Sequence, residues 1–419
     1  MKQASVVGID IGTSGVRVVA LDEAGEDIGS GSYRFPGAAS VADPSAWWAG
    51  VQDCFAQLRG EVDLGNTAGV AVDATSGSVL ALDAAGNPLG VAMYNQPVRS
   101  AAIRAAIERH APPSSPARGA TSPLGKAIEL FQSHRPAWIV HQADWIAMRL
   151  GSGVALSDEN NALKTGYDLE QSSWPDWLDK VGLPDHVLPQ VRPAGRRLMA
   201  VGAGARALGL PSGCQLYAGT TDGCASFLAT GAQAIGDGVT ALGSSLVLKL
   251  LCERRIEAPE FGIYSHRIGG MWLAGGASNS GGAVIKALLP DADLDALTAL
   301  VDPERPTGLS YYPLLRPGER FPISDPDLRP VLSPRPENSV KFFQAILEGI
   351  AEIEAEGFRR LAALGAPAVT SVRTVGGGAA NLPWRRIRSA RLGVPIIPAR
   401  SVEAAFGVAR LAQTGAGDE

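Results

Sequence analysis

Apolar positions fall in short blocks, each closing on a carboxylate or a glycine turn. Val6-Val7-Gly8-Ile9 ends at Asp10, passes through Gly12-Thr13-Ser14-Gly15 and resumes as Val16 to Leu21, which predicts a β-hairpin. Ala68 to Asp73 reads as a second buried strand ending in a carboxylate, and Val79 to Leu82 as a strand followed by a turn. Leu216-Tyr217-Ala218-Gly219 leads into Thr220-Thr221-Asp222-Gly223 in the same manner. Helical spacing covers Ser100 to His110 and Trp138 to Leu150, with a proline-rich loop from Pro112 to Pro116. Strands alternating with helices predict a layered α/β domain.

After about residue 228 the pattern restarts, because Val239 to Leu250 again carries strand, glycine-hydroxyl turn, strand. Two related halves follow from that repeat. Val340 to Leu364 is the clearest helix, with Phe343, Leu347, Ile350 and Leu361 on one side and Glu348, Glu352, Arg359 and Arg360 on the other. Ser371 to Val375 runs into Gly376-Gly377-Gly378, and the last helix, Val402 to Gln413, carries a central Gly407 where another backbone can come close.

A chain of 419 residues exceeds what one hydrophobic core usually serves, in keeping with two domains. A formal charge of −5 without a basic cluster argues against nucleic acid or an anionic membrane as partner. Cys54, Cys214, Cys224 and Cys252 are scattered, and His110, His134, His141, His186 and His266 have no metal-ligand spacing. With no signal peptide pattern and no apolar run of about 18 residues, the expectation is a cytoplasmic protein.

The turn after Asp10 fits neither the P-loop, which needs Gly-Lys-Ser/Thr, nor a dinucleotide loop, which needs a helix next. Backbone N–H groups and hydroxyls beside a carboxylate instead suit a phosphate with a hydrated Mg²⁺, though taken alone the segment is equally an ordinary hairpin. Gly202-Ala203-Gly204 has glycines at dinucleotide spacing but is read as preceding a strand, and is set aside. Asp222 is either a catalytic carboxylate or a helix cap, and Asp73 either supports a metal or simply ends a strand.

In order along the chain, Asp10-Ile11-Gly12-Thr13-Ser14, Ala218-Gly219-Thr220-Thr221-Asp222, Leu242-Gly243-Ser244-Ser245, Gly275-Gly276-Ala277-Ser278-Asn279, Gly318-Glu319-Arg320-Phe321-Pro322, Leu347-Glu348-Gly349-Ile350 and Gly376-Gly377-Gly378-Ala379-Ala380-Asn381 resemble the motifs of the FGGY carbohydrate kinases. The resemblance runs from Gly8 to Gly407. It implies two ribonuclease H-like α/β domains of the actin, Hsp70 and sugar kinase type with a central active-site cleft: residues 1–228 completed by a C-terminal helix at 402–419, and residues 229–401 on the nucleotide side. It assigns Asp222 as general base and sugar contact, and Asp10 to Mg²⁺ and the sugar. Gly12, Thr13, Ser14, Gly243 and Ser244 fall to the ATP phosphates, and Gly376, Gly377 and Asn381 to the adenosine.

Within the family, Asp73-Ala74-Thr75-Ser76-Gly77-Ser78 resembles the short cyanobacterial and plant D-ribulose kinases, with Ser76 on the ketose, and Tyr94-Asn95-Gln96, Asn160 to Lys164 and Tyr264-Ser265-His266 are similar as well. Xylulose kinases show a Ser-Gly-Gln-Met-His type segment instead. The stretch after Lys126, Ala127-Ile128-Glu129-Leu130, lacks the tryptophans usual in one wall of the sugar site. The expected reaction is ATP-dependent, Mg²⁺-assisted phosphorylation of D-ribulose, with D-xylulose or another polyol as the alternative acceptor. An actin- or Hsp70-like ATPase module is the alternative of another class. The sequence leaves the oligomeric state open.

Overall fold

The computed structural model describes residues 1–119, 121–151 and 153–417. It divides into two compact units, the first Met1–Ala229 with Arg267–Gly269 and the chain from Glu403 onward, the second Thr230–His266 with Gly270–Val402.

Unit 1 is built on strands β1 (Val6–Ile11), β2 (Gly15–Leu21), β3 (Asp27–Arg34), β4 (Gly69–Ala74), β5 (Arg197–Ala200) and β6 (Gln215–Thr221). They lie in the order β5-β6-β4-β1-β2-β3. Strands β1 and β2 form the antiparallel hairpin, closed by Gly12 N–H donating to Gly15 O at 2.9 Å. Strand β4 joins β1 in parallel and β6 joins β4 in parallel. Every residue of β1 and β4 is buried, as strands covered on both faces must be. On one face lies α1 (Pro44–Leu58), whose Trp47, Val51, Phe55 and Leu58 share a core with Ile9, Val16 and Val18. On the other lie α3 (Asp222–Ala229) and α6 (Ala404–Gly417), packed on Val6, Val19 and Ala71. A shorter helix, α2 (Glu159–Thr165), begins at Asp158, which caps it by accepting from Asn160 and Asn161 N–H.

Unit 2 repeats the plan with β7 (Asp237–Leu242), β8 (Leu246–Cys252), β9 (Tyr264–Ile268), β10 (Met271–Ala277), β11 (Ser371–Val375) and β12 (Ile396–Ile397), ordered β9-β10-β8-β7-β11-β12. The hairpin strands β7 and β8 are antiparallel, and β11 adds to β7 in parallel. The core order β10-β8-β7-β11-β12 therefore matches β3-β2-β1-β4-β6, the ribonuclease H-like arrangement twice over. Helix α4 (Ser339–Ala363) lays Phe343, Leu347, Ile350 and Phe358 on Leu248 and Leu250, and α5 (Leu382–Leu392) packs beside it.

Three sequence expectations are corrected. Trp138–His141 is a strand paired with Val79–Leu82, not the start of a helix, and the helix begins only at Gln142, with His141 and Asp144 forming a reciprocal cap. Glu348 is buried rather than solvent-facing, because its carboxylate accepts from Thr307 N–H and, at 2.6 Å, from Thr307 Oγ1. Gly202 and Gly204 follow strand β5 and open a short helix, Ala203–Ala207, instead of preceding a strand. Those glycines are there for packing: a Cβ at Gly202 would stand 1.9 Å from Gly151 O, and at Gly204 2.0 Å from Arg149 O.

The glycine inside α6 has the same logic, since a Cβ at Gly407 would stand 1.8 Å from Ala225 O of α3. Backbone cannot yield as a flexible side chain can, so Gly407→Ala should destabilise unit 1 by about 1–3 kcal/mol. Thermal unfolding followed by circular dichroism should show a clear drop in Tm, and an unchanged Tm would contradict this packing.

Candidate active site

The parallel register of unit 1 brings its carboxylates to one end of the sheet. Asp10 on β1 is the Cα partner of Asp73 on β4, Asp73 is the partner of Thr220 on β6, and Asp222 starts α3 directly after β6. Carboxyl ends of adjacent parallel strands are where α/β sheets hold ligands. Asp10 is 5% and Asp73 0% exposed, so the two are withdrawn from water beside a third acid. Burial, with the neighbouring Asp222 adding to it, pushes the Asp10 pKa up to about 7, and Arg17 opposes the shift. Burial and the charges of Asp10 and Asp222 push Asp73 well above the carboxylate range. Both Asp73 carboxyl oxygens are buried without a hydrogen-bond partner among the described residues. Asp222, only partly buried, accepts from Gly223 N–H through Oδ1 at 2.8 Å.

Around this cluster stand cations that the sequence reading did not single out. Arg17, the register partner of Asp10 on β2, places Nη1 3.5 Å from Asp10 Oδ2 and Nε 3.2 Å from Glu403. A lone arginine in an otherwise apolar strand, opposite the carboxylate, was the available signal. Ser76, two residues past β4, accepts from Lys164 Nζ at 2.5 Å. Lys126 is 1% exposed and donates to Gly77 O, Met93 O and Tyr94 O at 2.8, 2.9 and 3.2 Å. Desolvation lowers its pKa to about 8. This lysine fastens the Ser76-Gly77 turn to the Met93-Tyr94 segment. Gly12, Thr13 and Ser14 form the hairpin tip, where both hydroxyl residues are exposed.

Unit 2 holds a pocket of about 850 Å³ whose lining includes Gly243, Ser244, Gly377, Gly378, Asn381 and Trp384. Two turns form it. One is the exposed β7–β8 hairpin tip at Gly243-Ser244. The other follows β11, where Gly376 adopts φ +85°, a conformation that L side chains rarely take. Asn381 caps α5 by accepting from Trp384 N–H at 2.8 Å and donates to Thr298 Oγ1 at 3.0 Å. Of the expected nucleotide residues, Gly243, Ser244, Gly377 and Asn381 line this pocket, whereas Gly376 stands behind it against Leu242 O.

Comparison with known proteins identifies the family. The model of the N-terminal domain of the FGGY family of carbohydrate kinases matches residues 5–121, and that of the C-terminal domain matches residues 240–416. The chain belongs to the FGGY family of carbohydrate kinases. It is 25% identical over 443 residues to a xylulose kinase of Escherichia coli (strain K12), covering 99% of this chain and 90% of that one. A glycerol kinase of Citrifermentans bemidjiense is also 25% identical, with coverages of 98% and 90%. The crystal structure of a "xyloylose kinase" from Brucella ovis superposes with a TM-score of 0.85 at 23% identity, covering 99% of this chain and 91% of that one. As an FGGY kinase the protein is a phosphotransferase with an alcohol group as acceptor, so the ATPase-module alternative falls away. Among the described residues no helix is long and apolar enough to cross a membrane.

No three metal-binding side chains converge into a cage among the described residues. The two buried Asp73 oxygens without a hydrogen-bond partner, beside Asp10, are the donor set that a hydrated Mg²⁺ would fit.

The raised Asp10 pKa has a thermodynamic consequence. The folded state holds this proton more tightly than the unfolded state, so the contribution to stability is full below the ordinary value of 3.8 and is lost as pH rises towards about 7. The loss is at most about 4 kcal/mol. In metal-free buffer, urea unfolding should show wild type losing more stability than Asp10→Asn between those limits. Parallel pH dependences would contradict the assignment.

Proposed function

We propose that this kinase transfers the γ-phosphoryl group of ATP to a ketopentose, D-ribulose, giving D-ribulose 5-phosphate. The observation that carries the chemistry is Asp222, held at the first residue of α3 with one oxygen on Gly223 N–H, alongside buried Asp10 and Asp73. Phosphoryl transfer needs positioning and charge stabilisation more than covalent chemistry. Asp222 accepts the proton of the attacking hydroxyl as the oxygen–phosphorus bond forms and the bond to the ADP oxygen breaks. Asp10 would hold hydrated Mg²⁺, with Asp73 behind it, and the bound ion would neutralise phosphate charge. Thr13 and Ser14 offer hydroxyl and N–H donors suited to phosphate oxygens, and within unit 2 Gly243, Ser244, Gly377 and Asn381 line the place for the nucleotide.

Support for D-ribulose comes from Ser76 and its neighbours. A hydroxyl held by Lys164 Nζ at 2.5 Å, on a turn fixed by Lys126, is a pre-set hydrogen-bonding group for a ketose. D-Xylulose is the second reading, favoured by the names of the relatives from Escherichia coli and Brucella ovis. A coupled ADP assay over D-ribulose, L-ribulose, D-xylulose, L-xylulose and glycerol decides between them, and the highest kcat/KM should belong to D-ribulose. Preference for D-xylulose would overturn that choice.

Asp222→Asn keeps the shape and removes the base, so kcat should fall by roughly 10²–10⁴-fold with nucleotide affinity nearly unchanged. Near-normal phosphorylation by that variant would sink the mechanism. Ser76→Ala should raise KM for the sugar and not for ATP. An effect confined to ATP would move Ser76 out of the acceptor site.

A further inference from the structure

The nucleotide pocket of unit 2 stands on a charged cluster with no access to water. Arg388 of α5 is 1% exposed and Glu354 of α4 is 0% exposed. The guanidinium grips the carboxylate with two nearly parallel bonds, Nε to Oε2 at 2.5 Å and Nη2 to Oε1 at 2.6 Å. Its Nη1 donates to Thr374 Oγ1 at 2.8 Å, and Thr240 Oγ1 donates to Glu354 Oε1 at 2.5 Å. Thr240 and Thr374 are register partners on β7 and β11. Four elements are thus bolted at one point, and each leads into or borders the pocket. Strand β7 runs into Gly243-Ser244, β11 runs into Gly376-Gly377-Gly378, α5 begins at the Asn381 cap, and α4 contributes Phe343 and Leu347 to the wall.

A core needs no such cluster for stability. A buried ion pair contributes little compared with well-packed apolar residues of the same volume, so its retention calls for another reason. Planar, bidentate bonds fix relative rotation as well as separation, which apolar contacts do not.

We propose that Arg388 and Glu354 are a positioning pair for nucleotide binding: through Thr240 and Thr374 they hold the two glycine turns at the spacing that phosphate and nucleoside require. Neither side chain touches the nucleotide. The inference rests on the kinase reading and goes beyond it, since it gives a role to residues outside the pocket.

The test is a pair of substitutions, Glu354→Leu with Arg388→Met, that keeps the volume while removing both charges. Thermal unfolding should stay close to wild type. Calorimetric titration with a nonhydrolysable ATP analogue should give a Kd raised about tenfold or more, the scale on which small misplacements act. KM for the sugar should remain within about twofold, a split that a general loss of structure would not produce. Thr240→Val and Thr374→Val each remove one strut without a buried charge, and each should weaken analogue binding about threefold. If the double variant does not fold, the threonine variants carry the test. Wild-type analogue affinity in the folded double variant, or in both threonine variants, overturns the proposal. A wild-type protein that binds no nucleotide overturns the kinase reading itself, and the proposal with it.

Discussion

Gathering three carboxylates at the ends of adjacent parallel strands is the constraint on which unit 1 turns. Asp10 and Asp73 are withdrawn from water beside the partly exposed Asp222, and their raised pKa values register that burial first and the repulsion among the acids second. A fold tolerates such a cluster only when the rest of the sheet enforces it. Six buried residues on each of β1 and β4, the Gly407 contact between α6 and α3, and the Trp47 core on the opposite face supply that enforcement. Arg17 relieves only part of the repulsion from its half-exposed position.

Unit 2 uses the same strand order for a different end. Its hairpin and its parallel strand also end in glycine turns, but the carboxylates are absent from those turns, and the space beside them is an open pocket lined mainly by glycine, alanine and apolar side chains. Charge is instead buried beneath, in Arg388 and Glu354. One topology thus presents a cluster of acids in the first unit and, in the second, a largely apolar pocket with Lys286 and Asp295 among its lining. That division matches what phosphoryl transfer asks of a base and of a nucleotide site.

A buried lysine fixes the turn that carries Ser76. From the helix Pro123–His134, Lys126 reaches three carbonyl oxygens on two segments. A buried ammonium with three acceptors orients those segments more narrowly than an apolar contact would. Lys164 acts on the same turn from α2 through Ser76.

Local sequence marked most of the strands that carry the site, with their turns, because each is a short apolar run closed by a carboxylate or a glycine. That is why Asp10, Gly12, Thr13, Ser14, Asp222, Gly243, Ser244 and the Gly376 turn could be singled out before any fold was known. The repeat of strand, glycine-hydroxyl turn and strand also announced two related halves. Tertiary structure alone decided which of these side chains meet. Burial of Glu348 and Glu354 on a helix that reads as amphipathic, the strand at Trp138–His141, and the partners of Arg17, Lys126 and Arg388 all depend on segments far away in the chain. Hydrophobic periodicity records which face of an element is covered. It carries no record of which polar group waits on the covering element, and a buried charge is stable only through that partner.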